Sequence, residues 1–64
     1  MTIKRDGAGF YSILGTENGQ PIVVELYKLD TRSNAWQANI DGENLGSEWA
    51  TKKEAVQAIA TMLD

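Results

Sequence analysis

The sequence predicts an α+β fold, in which a four-stranded antiparallel meander carries one C-terminal helix on one face. Over residues 36–40 apolar and polar residues alternate, and the pair Asp41-Gly42 follows at once. This combination is typical of a strand that enters a β-hairpin through a type I′ turn. From Thr51 onward the apolar period lengthens to that of an amphipathic helix. Because a single helix covers a single face of a sheet, we expect a two-layer domain.

Length and composition define one small domain that spans residues 1–64. With 64 residues, of which 42% are hydrophobic, the chain buries about 60% of its unfolded surface and supports a single core. It contains neither Cys nor His, so disulfides and the usual Cys/His zinc sites are excluded. There is no apolar run approaching about 18 residues, and no basic segment leads into an apolar one, which predicts a cytoplasmic protein.

The first nine residues are polar and rich in glycine, which predicts a flexible arm over residues 1–9 or a lead into the first strand. Gly7 and Gly9 have the first spacing of a dinucleotide-binding loop. However, Ser12 stands where that loop requires a third glycine, and a strand follows where it requires a helix. We therefore predict no cofactor.

The first predicted hairpin joins residues 10–15 to residues 22–29, through turn formers at residues 17–19. The second of these strands could present either of its sides to the helix. An unpaired carboxylate beneath the helix would be costly, so we expect Glu25 to face water. The residues expected to share its side are Val23, Tyr27 and Leu29, and those expected to face the helix are Ile22, Val24 and Leu26.

The second predicted hairpin and the helix complete the fold. The residues expected to face the helix from the last two strands are Trp36, Ala38, Ile40, Leu45 and Trp49. Thr51 and Glu54 have the spacing of a capping box, which predicts a helix over about residues 51–63. Its apolar stripe comprises Ala55, Val56, Ile59, Met62 and Leu63. A helix of about a dozen residues is marginally stable alone, so this stripe is expected to pack on the sheet.

The apolar residues outnumber the places that one helix can cover. If Phe10 and Leu14 face the helix, Tyr11 and Ile13 lie on the uncovered side of the sheet. A contiguous apolar patch of this kind marks an interaction site. The residues predicted to bind a partner there are Tyr11, Ile13, Val23, Tyr27, Leu29 and Gln37. The alternative is that sheet twist, the N-terminal arm or a shifted register buries some of them.

This surplus favours a small non-catalytic binding or regulatory protein that acts on a protein partner or, as a homodimer, on a second copy of itself. Without His or Cys, no Ser-His-Asp or Cys-His nucleophile can be assembled. Asp41 and Glu43 flank a tight turn, where acidic residues commonly serve the backbone. The segment that begins at Asp30 lacks the glycine and the final glutamate of a calcium loop. We predict neither an enzyme nor a metal site.

Lys52 and Lys53 stand in the first turn of the predicted helix, where the helix dipole is positive. One interpretation is that both are simply solvated and that their small unfavourable effect is tolerated. The other is an anion-binding site, because free backbone N–H groups and two ammonium groups would hold a phosphate or a carboxylate.

The segments AWQANI and LGSEWATKKEAVQAI resemble the end of the plant ethylene-response-factor type DNA-binding domain and the related arm-binding domains of phage integrases. The residues in matching places are Trp36, Leu45, Gly46, Trp49, Thr51, Glu54, Ala55 and Ala58. The match covers under half of the chain. It implies a three-stranded sheet packed on one helix, with a sheet face that reads DNA through Arg and Trp side chains.

The DNA-reading residues of that family do not carry over to this chain. The residues expected on the exposed face are Tyr11, Glu25, Tyr27, Gln37, Asn39 and Glu48. The net charge of −3 is also unlike that of domains that bind phosphate backbones. Nucleic-acid binding is therefore the alternative function, and the residues that would serve it are Lys4, Arg5, Arg32, Lys52 and Lys53.

Overall fold

The computed structural model describes residues 1–30 and 35–63 as one antiparallel sheet with one helix. The sheet has five strands, whose order across the sheet follows the chain. They are β1 (Thr2–Gly7), β2 (Phe10–Glu17), β3 (Gln20–Asp30), β4 (Ala35–Ile40) and β5 (Glu43–Asn44), and the helix α1 (Lys52–Met62) follows. The α+β class and the C-terminal helix on an antiparallel sheet are confirmed, whereas the predicted count of four strands is too low by one.

The additional strand is β1, which forms where the sequence predicts a flexible arm. Thr2 lies opposite Leu14, and Arg5 lies opposite Tyr11, in an antiparallel ladder with β2. Apolar periodicity could not reveal this strand because it is polar and almost wholly exposed. It is held to the sheet by backbone pairing, and its charged side chains suit an edge strand.

Two-residue turns close the hairpins β2–β3 and β4–β5. Asn18 and Gly19 have φ angles of 53° and 78°, and Asp41 and Gly42 have φ angles of 53° and 81°. Positive φ at both central residues is the requirement of a type I′ turn. The predicted turn at Asp41-Gly42 is thus confirmed.

The register of β2 on β3 decides which residues of β2 are buried. Ile13 lies opposite Val24, and Tyr11 lies opposite Leu26. Cross-strand partners share a face of the sheet, so both residues of β2 lie on the side that α1 covers. Ile13 is fully buried, and Tyr11 packs against the core. The prediction that Tyr11 and Ile13 lie on the uncovered side is therefore wrong.

The hydrophobic core lies between the sheet and α1. Its fully buried residues are Ile13, Val24, Leu26, Ala38, Ala55 and Ile59. The residues packed around them are Tyr11, Trp36, Ile40, Leu45, Trp49, Val56 and Leu63. The burial of Val24 and Leu26 and the exposure of Glu25 and Val23 confirm the predicted orientation of β3. Each large buried side chain contributes about 1.5–3 kcal/mol of transfer free energy.

The helix begins and ends close to the predicted residues. Thr51 has an extended backbone, and its hydroxyl accepts a hydrogen bond from the Glu54 backbone N–H at 3.2 Å. Leu63 is the C-cap and lies against Gly15, where an added Cβ would be 2.9 Å from Leu63 Cδ1. Gly15 therefore allows the end of the helix to approach the sheet. No helix within residues 1–30 and 35–63 has the length and apolarity needed to cross a bilayer.

The return strand of the second hairpin was predicted to run through Leu45, Ser47 and Trp49, but it ends at Asn44. Asn44 Oδ1 accepts a hydrogen bond from the Gly46 backbone N–H at 2.7 Å, and Gly46 has a φ of 79°. This local bond competes with strand pairing, so the regular ladder ends at Asn44. The chain rejoins β4 at Trp49, whose backbone N–H and C=O pair with those of Trp36 at 3.0 and 2.8 Å.

Candidate binding surface on the open face

The open face is the side of the sheet that α1 does not cover. Because cross-strand partners share a face, its side chains form three rows across the strands. The rows are Thr2, Leu14 and Val23; then Lys4, Ser12, Glu25, Asn39 and Asn44; then Phe10, Tyr27 and Gln37. A polar row thus lies between an aliphatic row and an aromatic one.

Large apolar side chains of β2 and β3 are exposed on or beside the open face. Their exposed fractions are 56% for Phe10, 41% for Leu14, 47% for Val23 and 61% for Leu29. Val23 and Leu29 belong to the predicted partner-binding residues, whereas Phe10 and Leu14 do not. The predicted surplus of apolar groups therefore exists, but β2 contributes different residues to it.

The turn at residues 18–19 contains the information needed to predict that Phe10 and Leu14 lie on the open face. Because a type I′ turn has two residues, Glu17 pairs with Gln20. The antiparallel register then fixes the partner on β3 of every earlier residue of β2. Leu14 then pairs with Val23, which Glu25 already places in water. The register of the hairpin, derived from its turn, was thus sufficient to orient β2.

A hydrogen-bond network joins the polar side chains of β3, β4, β5 and the segment after β5. The Tyr27 hydroxyl accepts from Asn44 Nδ2 at 3.1 Å. It donates its single proton to Asn39 Oδ1 at 3.2 Å or to Gln37 Oε1 at 3.3 Å. Asn44 Nδ2 also donates to Gln37 Oε1 at 2.9 Å, and Gln37 Nε2 donates to Glu48 Oε1 at 2.9 Å. The predicted pair Tyr27 and Gln37 therefore lies within one ordered surface.

A concavity of about 520 Å³ opens on the same face, where β1, β2, β3 and β4 meet. The open-face side chains that line it are Asp6, Phe10, Ser12, Glu25, Tyr27 and Asn39. The Ser12 hydroxyl donates a hydrogen bond to a carboxylate oxygen of Asp6. The sequence analysis did not predict Asp6 or Ser12 as site residues. It placed Asp6 in a flexible arm, and it did not use the polar Ser12 to decide which side of β2 faces water.

The charged groups make the open face acidic. The carboxylates of Asp6 and Glu25 border the concavity, and that of Glu48 ends the hydrogen-bond network. On the described part of this face, Lys4 is the one opposing cation. Such a surface raises the local concentration of cationic groups and repels anionic ones.

The basic residues predicted for nucleic-acid binding lie on both sides of the sheet. Lys4 shares the open face with Ser12, whereas Arg5 is the cross-strand partner of Tyr11 and so lies on the opposite side. Lys52 is also on that opposite side, with its Nζ atom 4.2 Å from the centroid of the Tyr11 ring. Arg32 lies outside the described residues.

The predicted anion site at the start of α1 has its two lysines in different surroundings. The ammonium group of Lys52 is over the Tyr11 ring, which itself lies 6.0 Å from the Trp36 ring. Lys53 is exposed and has no aromatic or ionic partner among the described residues. A cation–π contact of this kind contributes about 0.5–1 kcal/mol at an exposed site. Lys52 therefore has a structural role, and the anion site stays a prediction.

Comparisons with protein-family models, with curated proteins and with solved structures gave no match to this chain. The resemblance to the ethylene-response-factor and integrase arm-binding domains stays a prediction from the sequence. Within residues 1–30 and 35–63, no three side chains of His, Cys, Asp or Glu come together as ligands for a metal ion.

Proposed function

We propose that this protein is a small non-catalytic binding module whose open face binds a partner protein. The observation that carries the proposal is that one uncovered face combines exposed apolar side chains with three carboxylates. Burial of the apolar part would supply about 25 cal/mol per Å². The carboxylates would select a partner that presents basic side chains beside its apolar ones.

The hydrogen-bond network supports this proposal because it reduces the cost of binding. Tyr27, Gln37 and Asn44 already hold one another in place at 2.9–3.3 Å. Ordering a free side chain in an interface costs about 0.5–1.5 kcal/mol. Side chains that are ordered before the partner arrives avoid much of that cost.

The charge of the open face favours a different protein over a second copy as the partner. A two-fold symmetric dimer pairs the same patch of both copies, and Glu25 is in the central strand of this sheet. Two copies placed face to face would therefore bring like charges together, which costs free energy. The same acidity disfavours nucleic acid on this face, because phosphates are repelled as well.

A peptide-display selection on the immobilised protein tests the proposal and requires no candidate partner. Random peptides would be selected against the full chain and then measured individually. We expect the enriched sequences to combine Lys or Arg with aliphatic or aromatic residues. Val23→Lys should weaken their binding at least about ten-fold, or ~1.4 kcal/mol, because it places a cation among the contacts of a cationic ligand.

Ile3→Lys is the matched control variant. Ile3 is exposed to 42%, close to the 47% of Val23, but it lies opposite Ile13 and so on the other side of the sheet. It should leave peptide affinity unchanged, and circular dichroism should show that both variants are folded. Failure to enrich any sequence, or equal losses in the two variants, would contradict the proposal.

Light scattering over a concentration series tests the self-association version. The expected mass is that of a 7.0 kDa monomer throughout. A dimer that Val23→Lys abolishes would mean that the open face binds a second copy.

A further inference from the structure

The concavity on the open face has Ser12 as the smallest of its lining side chains. Along β2 it stands between Phe10 and Leu14, and across the sheet it lies between Lys4 and Glu25. Of these neighbours, Phe10 and Glu25 line the space of about 520 Å³, together with Asp6, Tyr27 and Asn39. We call this space the Ser12 pocket. It is a concave site on the open face of the sheet.

Aromatic rings form one wall of the Ser12 pocket. Phe10 and Tyr27 are cross-strand partners and both line the space. The Phe10 ring is 56% exposed, so it is accessible to a ligand. The Tyr27 ring is held through its hydroxyl, which accepts from Asn44 at 3.1 Å. The faces of aromatic rings attract cations.

Two carboxylates also line the Ser12 pocket, Asp6 of β1 and Glu25 of β3. One oxygen of Asp6 accepts the hydrogen bond from the Ser12 hydroxyl, and the other oxygen remains for a ligand. Glu25 lines the same space and has no hydrogen-bond or ionic partner among the described residues. The pocket thus offers two anionic acceptors beside two rings.

We propose that the Ser12 pocket receives an arginine side chain of the partner, a role that rests on the proposed function of the open face. The guanidinium group would donate to Asp6 and Glu25 while its plane lies against Phe10 or Tyr27. It suits these walls because it is planar, presents several donors in a fixed arrangement and stacks on aromatic rings. A lysine ammonium group fits them less well, since it is more strongly hydrated and concentrates its charge at one point.

Titration of the ¹⁵N-labelled protein with small blocked amino acids tests this assignment by NMR. The probe is N-acetyl-arginine methylamide at low ionic strength. The controls are the corresponding lysine and citrulline compounds, because citrulline has the shape of arginine without its charge. We expect the arginine probe to shift the amide signals of Ser12, Glu25 and Tyr27, the lysine probe to do so more weakly, and citrulline to have no effect.

Variants locate the bound probe. Glu25→Gln should weaken the arginine probe about three- to five-fold, as expected when one exposed charge pair is removed. Glu43→Gln removes the same charge from an exposed residue that does not line the pocket, and it should leave the affinity unchanged. Equal binding of citrulline and arginine, lysine binding as strongly as arginine, or an unchanged affinity in Glu25→Gln would overturn the assignment.

The outcomes separate this inference from the proposed function. If Val23→Lys abolishes the binding of selected peptides but Glu25→Gln changes neither peptide nor probe binding, the open face binds a partner without an arginine in the pocket. If Glu25→Gln weakens the probe but selected peptides bind Val23→Lys as well as the wild type, the pocket binds arginine and the proposed function of the face is wrong.

Discussion

The covered and open faces of the sheet contain similar apolar side chains in very different surroundings. On the covered face Leu26 is 1% exposed in the core, whereas Leu14 on the open face is 41% exposed. α1 has 11 residues and is therefore about 16 Å long. It covers the buried residues of β2, β3 and β4, whereas Ile3 of β1, on the same side, is 42% exposed. The comparison indicates that apolar burial stabilises the fold on the helix side, whereas the apolar side chains of the open face stay exposed.

The largest expected difference between the faces is the effect of shortening a leucine. Leu26→Ala should lower the free energy of unfolding by about 2–5 kcal/mol, because it removes buried methyl groups and leaves a cavity. Leu14→Ala should change it by no more than about 0.5 kcal/mol, as is usual at exposed sites. Urea unfolding, followed by the fluorescence of Trp36 and Trp49, measures both. Equal losses of unfolding free energy in the two variants would show that Leu14 is packed as tightly as Leu26.

A second comparison removes one hydroxyl from each face. Tyr27→Phe breaks the hydrogen bonds to Asn44 and to Asn39 or Gln37 and should cost about 0.5–1.5 kcal/mol. Tyr11→Phe should have almost no effect, because the Tyr11 hydroxyl has no partner among the described residues. The same urea experiment distinguishes the two. If the network also preorganises the open face, Tyr27→Phe will weaken the selected peptides, and an unchanged affinity would limit its role to stability.

The smallest expected effect concerns two adjacent lysines at the start of α1. Both oppose the helix dipole, which costs each about 0.3–1 kcal/mol. Lys52 offsets this cost through its contact with Tyr11, worth about 0.5–1 kcal/mol. Lys52→Gln should therefore change stability little, whereas Lys53→Gln should raise it by up to about 1 kcal/mol. Thermal unfolding of both variants in low salt measures the difference. A larger gain in stability for Lys52→Gln than for Lys53→Gln would contradict the stabilising contact between Lys52 and the Tyr11 ring.

The sequence predicted part of the candidate site because particular residues are unambiguous. Glu25 oriented β3 correctly, since a buried carboxylate would lack a partner, and it placed Val23 and Leu29 in water. The residues of β2 alone left its orientation ambiguous, because both of its sides carry large apolar residues, and the register with β3 was needed to resolve it. The Ser12 pocket could not be predicted, because Asp6 comes from β1, a strand with almost no apolar signal.

The sequence by itself determined those features that depend on neighbours in the chain. Asp41-Gly42 specified a turn through its tolerance of positive φ, and Thr51 marked the start of α1 through its hydrogen bond to Glu54. Only the tertiary structure decided that β1 joins the sheet and that Asp6 reaches Ser12 on the open face. These outcomes depend on pairing between strands. The free energy of such pairing depends on both segments, so the sequence of either segment alone does not reveal it.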